Sequence, residues 1–345
     1  MLLSHNSSLE CLRTIPPQVE ILRRTTMPLS LDDVVPTRNE LLHLAPEEFG
    51  IAQIPLHCLF SADARRSEAS RIQTHTSCLD ALPAGAACEL AVGRYVCGPE
   101  MTFIQMASVS SLVGAVVLGH ELCGRYSHFG RFISGFYERP PLTSVEQIRH
   151  VIDALSGMGI RSGVEHAREA LRWVRDGSAS PMETVVSCML HLPCRMGGFG
   201  LVAPQLNYEQ QLDDAARTIA GKDYCAVDTA YVYKIDGVDH KEGLEYDGKD
   251  YHRDADADRT RREALAHMGW TIYVVVVDDM TSYLRIKDKV ALLDKVPRQR
   301  GSEIVNERLG RDLLKRLLRA TRFGVGLDAV LFGVKVPRGM VKVHI

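Results

Sequence analysis

Residues 243–252 read Gly243-Leu244-Glu245-Tyr246-Asp247-Gly248-Lys249-Asp250-Tyr251-His252, and upstream of them runs Ala226-Val227-Asp228-Thr229-Ala230. Both stretches have strand character, and Gly248 punctuates the second. A strand's two-residue period puts Glu245 and Asp247 on one face and Leu244 and Tyr246 on the other. Asp228 sits among small and apolar neighbours, where a carboxylate without a cation is costly. If the two strands pair, Asp228 and Glu245 converge at one edge of a sheet. Carboxylates brought together repel unless a divalent cation neutralises them, and Mg2+ (or Mn2+) takes hard oxygen ligands of this kind. Such an ion activates a water and holds a phosphate oxygen, the two demands of phosphodiester cleavage. The competing reading has the acids capping turns or paired with Arg261, Arg262 or Lys249.

Outward from this stretch, Ser180-Pro181-Met182-Glu183 is a capping box with proline at the first helical position. It predicts a helix through Val185, Val186, Met189 and Leu190, ending near Pro193. Strands are expected over 201–206, 224–233 and 243–251. A helix follows over 256–268, closed by Gly269. The β-branched run Trp270 to Val277 then reads as a strand buried on both faces. The expected order is α-β-β-β-α-β in a mixed α/β fold, with the last strand parallel to its neighbour through the helical crossover.

Glu245, Asp247 and Gly248 with His252, then Asp258, Arg261, Leu265, Gly269 and Trp270, resemble the very-short-patch-repair-like nuclease family of the PD-(D/E)XK superfamily. Val227-Asp228 is similar to that family's strand aspartate, and the resemblance covers roughly residues 180–280. It implies a restriction-endonuclease-like core cleaving DNA with Mg2+ or Mn2+. The metal carboxylates would be Asp228 and Glu245, with Asp247 adding a ligand and Glu183 serving as accessory acid. One position departs from the superfamily, which usually carries lysine two residues after the second acid, where this chain has Asp247. That lysine stabilises the attacking water, so Lys249 or His252 is left to assist. The alternative is a nuclease fold without catalysis, acting as an antitoxin-like transcriptional regulator or DNA-binding protein. The N-terminal half resembles, in organisation, proteins related to abortive-infection antitoxins, which implies a DNA-binding module or one that binds a toxin or other protein.

At 345 residues the chain exceeds one ordinary core. The expected parts are a segment of unassigned fold over 1–50, a β-then-helical domain over 51–177, the nuclease-like domain over 178–296, and a basic helix and tail over 297–345. A net charge of −2 gives no global field for nucleic acid, but the charge is uneven. Residues 281–345 hold 15 Lys and Arg against 6 Asp and Glu, leaving 26 basic and 37 acidic residues elsewhere. From Asn306 to Arg322, Leu309, Leu313, Leu314, Leu317 and Leu318 make an apolar stripe flanked by Arg308, Arg311, Lys315, Arg316, Arg319 and Arg322. Either the stripe docks and the cations are solvated, or they hold a DNA backbone. Arg261 and Arg262 are further candidates for a phosphate.

Nine cysteines without a CxxC pair read as thiols in a reducing cytosol. Met1 to Glu20 lacks the charged-then-apolar order of a signal peptide, and the apolar run Ser108 to Gly119 is too short to span a bilayer. A cytoplasmic protein without a membrane partner is expected, its oligomeric state open. The histidines of Gly119-His120-Glu121 and Val164-Glu165-His166 have no second ligand at metal spacing and read as structural.

Overall fold

A computed structural model describes residues 1–14, 23–37, 40, 51, 55–61, 72–128, 135–161, 163–248, 255–301 and 306–323. The chain is mixed α/β and divides into two compact units, 1–174 together with 322–345, and 175–321.

The first unit holds a six-stranded mixed sheet. Its strand order is Arg23–Arg24, Ala87–Ala91, Arg94–Cys97, Leu2–Leu3, Leu56–Ser61, Ile72–Ser77. The break expected at residue 50 has no counterpart. Leu2 and Leu3 are fully buried, parallel to Tyr95-Val96 on one side and antiparallel at Cys58 on the other. A two-residue strand is too short to display a period. Leu3, Ile51, Leu56, Phe60 and Val96 share one apolar cluster, which ties the two segments into a single core.

The apolar stretch after Gly98 forms two helices, Pro99–Val109 and Leu112–Leu122. They part at Ser110-Ser111, where the Ser111 hydroxyl accepts the Gly114 N–H at 3.2 Å and starts the second. The chain's first helix, His5–Thr14, and helices Val145–Gly157 and Val164–Leu171 complete the helical part. His120 is fully buried with Nδ1 2.9 Å from the Val116 carbonyl oxygen, a structural histidine. Glu121 beside it accepts two bonds from Arg13, at 2.9 and 2.8 Å, and lies 3.0 Å from the His128 ring. Burial works to raise the Glu121 carboxyl. Arg13 and His128 overcome it and hold the group well below the usual carboxylate range.

The second unit opens with the expected helix, Pro181–His191, capped by the Ser180 hydroxyl accepting the Glu183 N–H at 3.1 Å. Its four-stranded sheet runs in the order Gln205–Gln211, Tyr224–Ile235, Val238–Asp247, Trp270–Val276. The first three strands are antiparallel and the last is parallel to the third, reached through helix Ala255–His267. The first strand begins later than the 201–206 expectation, because the turns around Gly197, Gly198 and Pro204 delay the chain's entry into the sheet. A helix absent from the expected order, Asp214–Ala220, follows it, with Asp213 Oδ1 accepting the Ala216 N–H at 2.8 Å. The two central strands are longer than expected. They join at Asp236-Gly237, both at positive φ (49° and 81°), the backbone of a tight hairpin turn. Val227, Ala230 and Trp270 pack with Ala216, Ala264 and Leu265 as the core of this sheet.

The basic helix Glu307–Phe323 does not form a separate tail: Leu313, Leu314 and Leu317 are buried and Leu309 is partly exposed. Gly310 lets the helix approach Tyr283, since a Cβ there would lie 2.1–2.7 Å from three ring carbons. Tyr283 in turn stacks on Phe199, centroids 5.4 Å apart. Gly310→Ala is therefore expected to destabilise the protein by about 1–3 kcal/mol. A thermal melt checks this, at roughly 2–4 °C per kcal/mol for a unit of this size.

All nine cysteines are free thiols; eight are buried and Cys78 is exposed. Among the described residues no helix is long and apolar enough to cross a membrane.

Candidate acidic site of the C-terminal unit

The backbone ladder between the two central strands runs from Ile235↔Val238 to Thr229↔Leu244 and stops there. The next opposed pair in that register is Asp228 and Glu245. At this point the Asp228 carboxylate takes over the ladder's role, its Oδ2 accepting the Tyr246 N–H at 3.0 Å. On its other side the ladder to Gln205–Gln211 pairs Leu206↔Thr229 and Tyr208↔Val227, stepping past Asn207 opposite Asp228. Asn207 has a left-handed backbone (φ 48°), and its side-chain amide donates to Glu183 Oε2 at 2.8 Å. The same Glu183 oxygen accepts the Ala179 N–H at 2.8 Å. Glu183 thus reaches back past the N-cap to the Ala179 N–H, in place of the Ser180 N–H that a capping box would use, and its charge also acts on Asp228.

Burial comes first, then the Glu183 and Glu245 carboxylates; together they push the Asp228 carboxyl up to about 7, against the pull of the Tyr246 N–H and of Arg261. Asp228 is half-buried, and Glu183 and Glu245 are buried. Glu183 and Glu245 are thus near enough to Asp228 to act on its charge.

Glu245 has a cation of its own. Arg261 Nη1 and Nη2 donate to its two oxygens at 2.8 and 2.5 Å, and Nη2 also donates to the Ala226 carbonyl at 2.8 Å. Glu245 is therefore engaged through both oxygens, which is the arginine-paired alternative to a metal ligand. Among the described residues no group of three His, Cys, Asp or Glu side chains is set to hold a metal ion.

The other expected residues divide. Asp247 is half-buried, opposite Val276 in the parallel ladder. Arg262 is exposed on the helix that carries Arg261. Lys249 and His252 lie outside the described residues. Arg308, Arg311, Lys315 and Arg319 are all exposed, spaced to lie along one side of their helix, and Arg311 makes a 3.7 Å i,i+4 contact with Glu307.

Asn207 and the Tyr246 N–H were not legible as site groups. An asparagine within a strand pattern carries no mark of its partner, and any N–H is common to every sequence.

Comparisons with protein-family models, with curated proteins and with solved structures return no match to this chain.

Proposed function

We propose that the 175–321 unit is a divalent-metal-dependent phosphodiesterase of PD-(D/E)XK type acting on DNA. The observation that carries this reading is Asp228, placed opposite Glu245 where the strand ladder ends, with its carboxyl raised to about 7 by burial and by the Glu183 and Glu245 carboxylates. Three carboxylates there face one guanidinium, Arg261, so full ionisation leaves two negative charges in excess. A strongly perturbed carboxyl among like charges is a mark of functional sites.

The donor set suits Mg2+ or Mn2+ in chemistry and charge, all hard carboxylate oxygens. Mg2+ is commonly held by one or two carboxylates, keeping several waters and adding substrate phosphates, so a ready three-ligand cage is not required. Asp228 would be the residue to hold such an ion, with Glu183 near it and Glu245 able to add an oxygen only if Arg261 released it. When bound, the ion lowers the pKa of its water and steadies the phosphate charge. The chain's own part is to fix Asp228 through the Tyr246 N–H, to fix Glu183 through Asn207 and the Ala179 N–H, and to keep Arg261 beside the phosphate. Asp247, Lys249 and His252 remain candidates to assist the attacking water.

Supercoiled plasmid titrated with Mg2+ or Mn2+ tests this. Nicking that needs the metal and stops with a chelator is expected. No cleavage under either ion by folded protein sinks the reading.

The second reading is a nuclease fold kept for binding, as a DNA-bound or toxin-bound regulator. Two observations favour it: Glu245 is already neutralised by Arg261, and Asp247 occupies the usual lysine position. Both readings use the basic face of the last helix. DNA affinity should fall with salt, and replacing Arg308, Arg311, Lys315 and Arg319 by alanine should flatten the log–log salt slope by ~0.9 for each phosphate no longer neutralised. An unchanged slope in a filter-binding or anisotropy titration removes this helix from the interface.

A further inference from the structure

The first unit holds a cavity of about 230 Å³ that the acidic site does not use. Its walls come from strands Leu56–Ser61 and Ile72–Ser77 and helices Pro99–Val109 and Val145–Gly157, and they are more apolar than polar. His5 and His75 line it. No Lys, Arg, Asp or Glu is among the described residues around it.

His5 opens the first helix with a left-handed backbone, φ 48°, a conformation that costs a non-glycine residue ~1–3 kcal/mol and clusters at functional positions. The Gln105 side-chain oxygen accepts the His5 N–H at 3.0 Å and helps hold that conformation from the cavity wall. The His5 imidazole stacks on His75, centroids 3.6 Å apart and planes within 17°. His75 Nε2 lies 2.9 Å from His57 Nδ1. Burial, and then the neighbouring His75 and His57, lower the His5 imidazole to about 3, and burial also lowers His75. His5 and His75 are thus neutral at pH 7, and each neutral ring offers one N–H and one acceptor nitrogen.

We propose that this cavity binds a small uncharged heteroaromatic molecule of one or two fused rings, packed against the His5–His75 imidazole pair and hydrogen-bonded to nitrogen or hydroxyl groups on its wall. An ionised ligand would lose its hydration with no opposite charge to receive it. Apolar walls, a few convergent polar groups and a preformed cavity are the ordinary make-up of such a site. A transition ion fits less well. The two stacked rings lie face to face, so their in-plane lone pairs do not converge, and no three donors are set around one point among the described residues.

Cys78 makes the site testable, because it lines the cavity and is exposed while the other eight cysteines are buried. Indole and benzimidazole are the neutral probes, indole-3-carboxylate the charged control. With the full chain at pH 7.5, the neutral probes should slow Cys78 alkylation saturably, with Kd below about 1 mM. The carboxylate should not. His5→Asn keeps a residue that tolerates the left-handed backbone and removes the imidazole; it should weaken protection about tenfold. Ser108→Trp, a bulky ring at an exposed wall position that leaves the imidazoles in the sequence, should do the same if His5→Asn fails to fold. Three results overturn the proposal: no protection by either neutral probe, equal protection by the carboxylate, or unchanged protection in either folded variant. Zn2+ protecting Cys78 where the neutral rings do not would overturn it in favour of an ion.

Discussion

Asp228→Asn is expected to make the metal-free protein more stable at pH 8 while abolishing plasmid nicking and the response to Mg2+. The carboxyl titrates near 7 in the folded chain and near the ordinary aspartate value when unfolded. A raised folded pKa means that the folded state holds this proton more tightly. The contribution to stability is therefore greatest below about pH 4, is lost as pH rises through 4 to 7, and stays at its worst above 7. Three units at ~1.4 kcal/mol each set an upper bound of about 4 kcal/mol at pH 8, reduced to the extent that solvent screens a half-buried group. Asparagine cannot ionise and escapes the penalty. Unfolding followed by Trp270 fluorescence in a Trp173→Phe background, at pH 5 and pH 8, checks the sign. A gain at pH 8 that shrinks to less than half of its size at pH 5 supports the coupled acids; a loss at both pH values means the carboxylate is a structural anion. The wild-type response to Mg2+ should strengthen from pH 6 to 8, because metal and proton compete for the same oxygens.

What the sequence displayed of this site is what strand periodicity and capping chemistry can display. Asp228 and Glu245 lie in adjacent strands whose register could be guessed once both were read as strands, and Ser180 to Glu183 marks its helix start by spacing alone. The parallel last strand followed from the helix between Asp247 and Trp270. The register break was not displayed. The Thr229↔Leu244 ladder ends and the Asp228 side chain accepts the Tyr246 N–H, a substitution that no pattern of strand residues marks. The Asp214–Ala220 helix was hidden too, since seven residues offer barely two turns of period. In the first unit the five residues opening the chain look unremarkable, yet they supply a buried strand and the strained histidine beside the cavity.

Arg261→Ala should separate the two readings of the acidic site, and its effect on stability should be the larger of the two substitutions. Glu245 is about 7% exposed and Arg261 22%, so removing the guanidinium strands a buried carboxylate beside two others and leaves the Ala226 carbonyl without this donor. Breaking a buried pair from one side costs ~3–5 kcal/mol. Arg261→Lys keeps the charge without the two-pronged geometry and should fall between the variant and the parent. Exchanging both partners, Arg261→Met with Glu245→Leu, should recover most of the loss, because no charge is left unpaired. The metal then decides. If Arg261 holds the place that a cation takes on Glu245, the alanine variant gains a free ligand, and millimolar Mg2+ should raise its melting temperature more than it raises the parent's. Saturation a hundredfold above Kd would return ~2.7 kcal/mol of the lost stability. If Arg261 is only the structural partner of a silent fold, Mg2+ should restore nothing and the double exchange alone should rescue. Arg261 would then be the standing counter-ion of Glu245, and the unit's work would rest on the exposed cations of its last helix.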